Sequence, residues 1–276
     1  MHIDSFFACS NSSLDEAEVV IFGIPYDATQ SFKPGSRFAP NAIREASWNL
    51  EDFSVYFKRG VGVKVCDAGN VCVDGSFEDV MAETESFLRG LGIERKSLRT
   101  VMFGGEHTVS YAVSRVMKRT HFVVFDAHFD LRDEFDGSRY NHACTVRRIA
   151  ERHDVTLVGV RSCTKEELEF AEREGIRYYT AFDVRKRWKE ILRELEENLP
   201  DRIYLSVDMD AFDPAYAPGV STPEPFGIDP VIYLEFVEKF GDRITGMDVV
   251  EVVPDSEKIT PTFAAKLVVE FLCLIP

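Results

Sequence analysis

Three short polar clusters carry the residues best suited to chemistry: Gly104-Gly105-Glu106-His107, Asp126-Ala127-His128-Phe129-Asp130 and Asp208-Met209-Asp210-Ala211-Phe212-Asp213-Pro214. In extended chain alternate side chains share a face, so Asp126, His128 and Asp130 can converge on one point, as can Asp208 and Asp210. Carboxylates gathered at such a point repel one another. Without cations their pKa values must rise, whereas two divalent ions neutralise the set and take both imidazoles as ligands. Two histidines with four carboxylates and no thiolate are too oxygen-rich for a structural zinc site and point to Mn²⁺. A lone Asp-x-Asp reads as a solvated turn or helix cap. Three metal-suited clusters, each directly after an apolar run, read as a metal centre.

The elements that must position these clusters are legible as alternation. Short apolar runs rich in Val, Ile and Phe recur at 19–24, 61–66, 100–103, 122–126, 156–160, 177–179, 203–208 and 244–250. Their near-continuous hydrophobicity suits strands covered on both faces. Segments of helical period lie between most of them, at 41–50, 77–91, 109–118, 166–174, 184–199 and 231–240, with a last apolar helix at 263–274. Ser76 and Thr164 are N-cap candidates, and Thr164 with Glu167 forms a capping box. The pattern predicts an α/β fold, a three-layer α/β/α sandwich around a mostly parallel sheet of about eight strands. Ligands of such sheets bind beyond the carboxyl ends of the strands, where the three clusters fall.

The chain has 276 residues, 45% of them hydrophobic, enough to bury a full core. No linker, repeat or low-complexity stretch divides it, which predicts one domain over residues 1–276. Its net charge of −15 disfavours nucleic acid and anionic membrane surfaces as partners and suits a small cation. Met1 to Ser10 lacks the basic start and apolar run of a secretory signal, and no run approaches the roughly 18 apolar residues of a membrane span. Cys9, Cys66, Cys72, Cys144, Cys163 and Cys273 are scattered without a Cys-x-x-Cys pair. A cytoplasmic protein with reduced thiols is expected, Cys144 and Cys163 among them as buried, inert groups. His2, His121 and His153 read as tail or packing residues.

The order Gly-Gly-Glu-His, Asp-Ala-His-x-Asp, Ser-x-Asp-x-Asp-x-x-Asp-Pro resembles the ureohydrolase family of arginases and agmatinases. The likeness extends to Gly35-Ser36-Arg37-Phe38-Ala39-Pro40, to Pro218-Gly219-Val220-Ser221-Thr222-Pro223-Glu224-Pro225 and to Asp248-Val249-Val250-Glu251, and so covers most of the chain. The resemblance implies two Mn²⁺ per subunit. His107, Asp126, Asp130 and Asp208 would hold one, and Asp126, His128, Asp208 and Asp210 the other, with Asp126 and Asp208 bridging. It further implies that Glu251 pairs with a substrate guanidinium, that His142 shuttles protons or touches substrate, and that Asp130 carries a proton. Ala143 stands where family members commonly have Gly. Asp213 is expected to cap a turn before Pro214. Related proteins assemble as trimers or hexamers, so a homo-oligomer is expected.

A guanidinium carbon is a poor electrophile, and two metals sharing one water can supply the hydroxide that attacks it at neutral pH. The products are urea and an amine once a proton reaches the departing nitrogen. The loop Leu131 to Tyr140 looks like that of agmatinase-type members, as does Thr222-Pro223-Glu224-Pro225, so agmatine, giving putrescine and urea, is the expected substrate. Arg132 and Arg139 could instead receive the carboxylate of a guanidino acid. Arginase, guanidinobutyrase and formimidoylglutamase activities therefore stand as alternatives on the same metal site. A catalytically silent, metal-bound scaffold is a further one.

Overall fold

The computed structural model describes residues 6–93 and 98–275, so His2 lies outside the described residues. Its strands are β1 (Val19–Ile24), β2 (Phe53–Ser54), β3 (Arg59–Gly60), β4 (Val65–Asn70), β5 (Arg99–Gly104), β6 (His121–Phe125), β7 (Asp154–Val160), β8 (Arg177–Thr180), β9 (Ile203–Asp208) and β10 (Ile244–Val250). Its helices are α1 (Ala39–Ser47), α2 (Phe77–Leu91), α3 (Thr108–Ser114), α4 (Thr145–Ala150), α5 (Lys165–Glu174), α6 (Ala181–Asn198), α7 (Pro230–Phe240) and α8 (Ile259–Leu274). Eight strands form one sheet in the order β4-β1-β5-β10-β9-β6-β7-β8, and every pairing is parallel. The strands β2 and β3 make a separate antiparallel hairpin.

Parallel strands joined by helical crossovers must be covered on both faces. In β1 and β9 all six positions are accordingly buried. One face, carrying Ile21, Phe103, Phe125, Leu205 and Val249, packs under α1, α6, α7 and α8. The other, carrying Phe22, Met102, Phe122, Leu157 and Tyr204, packs under α2, α3, α4 and α5. Each fully buried Val, Leu, Ile or Phe contributes about 1.5–3 kcal/mol, so two filled interlayer cores hold the sandwich.

Capping boxes start α2 at Ser76 with Asp79, α5 at Thr164 with Glu167 and α6 at Thr180 with Asp183. Two of these helices stop at glycines in the left-handed region, Gly92 and Gly175.

One expected strand is displaced: the run 61–66 is largely loop, and the edge strand occupies Val65–Asn70. The polar Asp67 inside it is tolerated because the buried Arg44 guanidinium binds both its oxygens at 2.8 Å. The order of the central strands is what serves function. Neighbours β5, β10, β9 and β6 end side by side, and the chain reaches them by crossovers that jump across the sheet.

Candidate metal and substrate site

The carboxyl ends of those four strands deliver the three clusters and Glu251 to one place. After β5 the chain turns through Gly104-Gly105, and a Cβ on Gly105 would lie 1.9 Å from the carbonyl oxygen of Tyr26. Only glycine lets the two strand ends approach this closely, and the same turn seats Glu106 N on that carbonyl at 2.8 Å. His107 then enters α3 with its ring turned toward the ends of β6 and β9.

His107 Nδ1 lies 2.9 Å from Asp130 Oδ2, 3.2 Å from Asp126 Oδ2 and 3.7 Å from Asp208 Oδ2. His128 Nδ1 lies 3.0 Å from Asp210 Oδ2 and 3.6 Å from Asp126 Oδ1. Two groups result, His107 with Asp126 and Asp208, and Asp126 with His128 and Asp210. Within each, the potential ligand atoms lie within 4.8 Å of one another. Asp126 belongs to both groups and Asp208 to one, while Asp130 reaches the first through His107. The neighbouring ends of β5, β6 and β9 thus bring all six residues together, with Asp130 turned in at a positive φ of 49° beyond the end of β6.

Electrostatics mark the cluster as built for cations. Asp126 Oδ2 is fully buried and lacks a well-formed hydrogen bond, with His107 Nδ1 as its neighbour at 3.2 Å. Burial, then the charges of Asp210 and Asp126, push the Asp208 carboxyl well above the usual carboxylate range. Burial and neighbouring Asp126 push Asp130 up to about 7. Burial opposes the charged form of His107, yet Asp126 and Asp130 outweigh it and hold its pKa well above the ordinary value. The imidazoles stand in part for the missing positive charge, which two divalent ions would supply more fully.

Further bonds orient the rings and loops. His107 Nε2 is 3.2 Å from Ser206 Oγ, which donates to the buried Asp248 at 2.6 Å. That chain leaves Nδ1 free to face the carboxylates, an arrangement common behind metal-binding histidines. Arg161 spends its guanidinium on five backbone carbonyls, those of Gly159, Asp210, Ala211, Glu224 and Pro225, at 2.6 to 3.1 Å. It ties the Asp208–Asp210 turn to the 224–225 loop. Asp213 caps a turn, accepting from Ala215 N and Gly227 N.

Above the cluster opens a cavity of about 290 Å³ lined among others by Asp130, His142, Asp208, Asp210 and Glu251. Glu251 is buried and pushed up to about 7 by burial, and its Oε1 accepts from His107 N at 2.7 Å. Its Oε2 accepts from Gln30, the only glutamine of the chain. Asp130 and Glu251 both adopt positive φ, 49° and 65°, a conformation costly for residues with a side chain and held here by their surroundings. Burial pushes His142 down to about 4, so its ring is neutral.

Cys163 is a correction: it is exposed and lines the cavity, because it sits just ahead of the Thr164 cap and not under α5. Cys144 is buried as expected. Among residues to which sequence reasoning gave no role, Gln30, Ser31 and Arg161 meet the site from other segments, and Ser206 does so from β9, two positions before Asp208. Gln30 is 221 positions from its partner, and no local pattern could have found it.

The match to the Arginase family model covers residues 17–274. The chain belongs to the arginase family. Its members are metal-dependent hydrolases, and the clustered His and Asp donors fit that requirement. An agmatinase from Pyrococcus horikoshii is 38% identical over 92% of this chain and 90% of its own length. An N(1)-aminopropylagmatine ureohydrolase from Thermococcus kodakarensis is 34% identical over 92% of this chain and 89% of its own. The crystal structure of agmatine ureohydrolase of Thermoplasma volcanium superposes with a TM-score of 0.90 at 34% identity, covering 98% of this chain and 94% of that one. No helix among the described residues is long and apolar enough to cross a membrane.

Proposed function

We propose that this family member is a binuclear Mn²⁺ hydrolase that cleaves agmatine to putrescine and urea. The observation that carries the reading is the acidic cavity itself: Asp130, Glu167, Asp208, Asp210, Glu224 and Glu251 line it, against Arg132 as its one Lys or Arg. A cationic guanidine is the ligand such a field selects.

In this reading His107, Asp126, Asp130 and Asp208 hold one ion, and Asp126, His128, Asp208 and Asp210 the other. When bound, the pair neutralises the carboxylates and acidifies a water molecule to supply the nucleophile. Glu251 presents a carboxylate to the guanidinium and fixes its plane against the floor of the cavity. Asp130 holds a proton and passes it to the departing amine nitrogen, which would otherwise leave as an amide anion. His142, neutral by burial, contacts substrate or exchanges protons at the other wall.

The two arginines that might attract a guanidino acid are already engaged. Arg132 stacks over the Phe135 ring at 4.5 Å and lies 3.7 Å from Glu167. Arg139 pairs with Glu151 at 3.3 Å and does not line the cavity. Both facts favour an amine tail over a carboxylate. A second reading, N(1)-aminopropylagmatine, is favoured by the Thermococcus relative and by Glu224, which adds a carboxylate to the cavity wall. Urea release from agmatine, N(1)-aminopropylagmatine, arginine and guanidinobutyrate, with formamide release from formiminoglutamate, tests the assignment. Agmatine is expected to have the highest kcat/KM. Turnover of a guanidino acid in preference to both amines would overturn it.

A further inference from the structure

Glu106 sits beside a metal-ligand candidate yet points away from the metal cluster. It is fully buried, and all three of its partners are donors from threonines. Thr29 N donates to Oε2 at 2.7 Å, while the hydroxyls of Thr29 and Thr108 donate to Oε1 at 2.7 and 2.6 Å. The Thr29 hydroxyl lies 2.7 Å from Glu106 Oε1 and 3.3 Å from His142 Nδ1, so its single proton goes to the carboxyl oxygen. What remains on Thr29 Oγ1 is its lone pairs, and both face His142: the backbone N–H donates at 3.1 Å and ring Nδ1 lies at 3.3 Å.

We infer that Glu106, acting through Thr29, fixes the tautomer of His142, holding the proton on Nδ1 and leaving the Nε2 lone pair for the substrate cavity. The inference rests on the proposed role of His142 in guanidine hydrolysis. Thr29 Oγ1 has no proton left to give Nδ1, so an Nε2–H tautomer would set two lone pairs against each other. Nε2 instead faces Ser31 Oγ at 3.2 Å, and Ser31 and His142 both line the cavity. A hydroxyl that donates to Nε2 can yield to a substrate N–H or to the proton of the leaving group. Glu106 and Thr29 touch neither substrate nor metal donors and are positioning residues. The logic is that of a carboxylate orienting a catalytic imidazole, with a threonine hydroxyl interposed.

The test is the ¹⁵N spectrum of histidine-labelled, metal-free protein, with the His142 signals assigned by their absence in His142→Asn. The wild type is expected to show one His142 tautomer, protonated on Nδ1. Thr29→Val and Glu106→Gln should populate the other form, and Thr29→Ser should restore the first. In the Mn²⁺-loaded enzyme Thr29→Val is expected to lower kcat by about ten- to a hundredfold and change KM by less than about twofold, with partial recovery in Thr29→Ser. Mn²⁺ stoichiometry is measured for each variant, so any loss transmitted through His107 in Glu106→Gln is recognised and Thr29→Val then decides. An Nε2–H tautomer in the wild type, or an unchanged tautomer in Thr29→Val, overturns the inference. Absence of turnover on every guanidine would defeat the functional reading while the tautomer pattern, if found, still upholds this one.

Discussion

The two ends of the sheet each carry a cavity, and the larger is not where the candidate chemistry lies. At the amino ends of β6, β7 and β8 a space of about 760 Å³ is lined by His121, His153, Asp154, Arg177 and Asn198 among others. Those polar groups have found ordinary partners. His121 meets Thr156 Oγ1 at 2.9 Å, Arg177 donates to Asn198 at 3.1 Å, and Asp154 pairs with Arg119 at 3.1 Å. His153 accepts from Thr120 N and lies 3.0 Å from the Ser114 carbonyl. At the carboxyl ends the space is about 290 Å³, yet it gathers buried carboxylates, among them two non-glycine residues at positive φ, Asp130 and Glu251. Groups left electrostatically unbalanced by the fold mark a site better than volume does, because stability alone would have removed them.

The sharpest way to break the comparison is to balance the charged end. Asp208→Asn should lower urea production by about a thousandfold or more, since it removes a donor from the proposed ion pair. The metal-free variant should melt higher than metal-free wild type, because the lost charge is one that burial disfavours. A lower melting temperature would mean that the aspartate contributes to the fold itself.

Arg161→Leu attacks the frame of the same end and leaves five carbonyls without their donor. Denaturant unfolding should report a loss of about 3 kcal/mol or more. A cost well under that would show that the two loops hold themselves.

Glu251→Gln keeps the shape and removes the charge that faces the guanidinium. Its kcat/KM should fall by about ten- to a hundredfold, equivalent to about 1.5–3 kcal/mol for a charge-assisted bond. Binding of Mn²⁺ should persist in the same variant, which calorimetric titration can read.

The opposite end should answer to pH and little else. Burial above all lowers the pKa of His121 and of His153 in the folded protein, so the unfolded chain binds protons more readily. Stability is therefore complete above the unfolded imidazole value of about 6.5 and declines as pH falls through and below it. Melting curves of the wild type should show that decline, shallower in His153→Gln. Arg177→Ala should leave kcat/KM within about twofold and stability within about 0.5 kcal/mol. A large loss of turnover there would erase the distinction between the two ends.

Much of this organisation was legible in the sequence because it is local. Largely buried parallel strands such as β1, β9 and β10 write themselves as mostly apolar runs, and their ends matched residue for residue. The Asp-Ala-His-x-Asp alternation placed three of the six candidate donors on one face before any contact was known. The reading slipped at the edge strand β4, most of whose residues are partly exposed or exposed and whose Asp67 is neutralised by Arg44 from α1. The helix α4, six residues long, is too short to show a period. The bonds of Glu106 to Thr29 and of Gln30 to Glu251 join segments 77 and 221 positions apart, and only the folded chain reveals them.

The central claim, that the balance missing at the carboxyl ends is supplied by two divalent ions in order to hydrolyse agmatine, has one most direct measurement. Metal-free protein is titrated with Mn²⁺ while urea release from agmatine is followed. The account predicts no release at the start and a rate that climbs to a plateau at two equivalents per chain. A plateau at one equivalent, or no urea at saturating Mn²⁺, would contradict it.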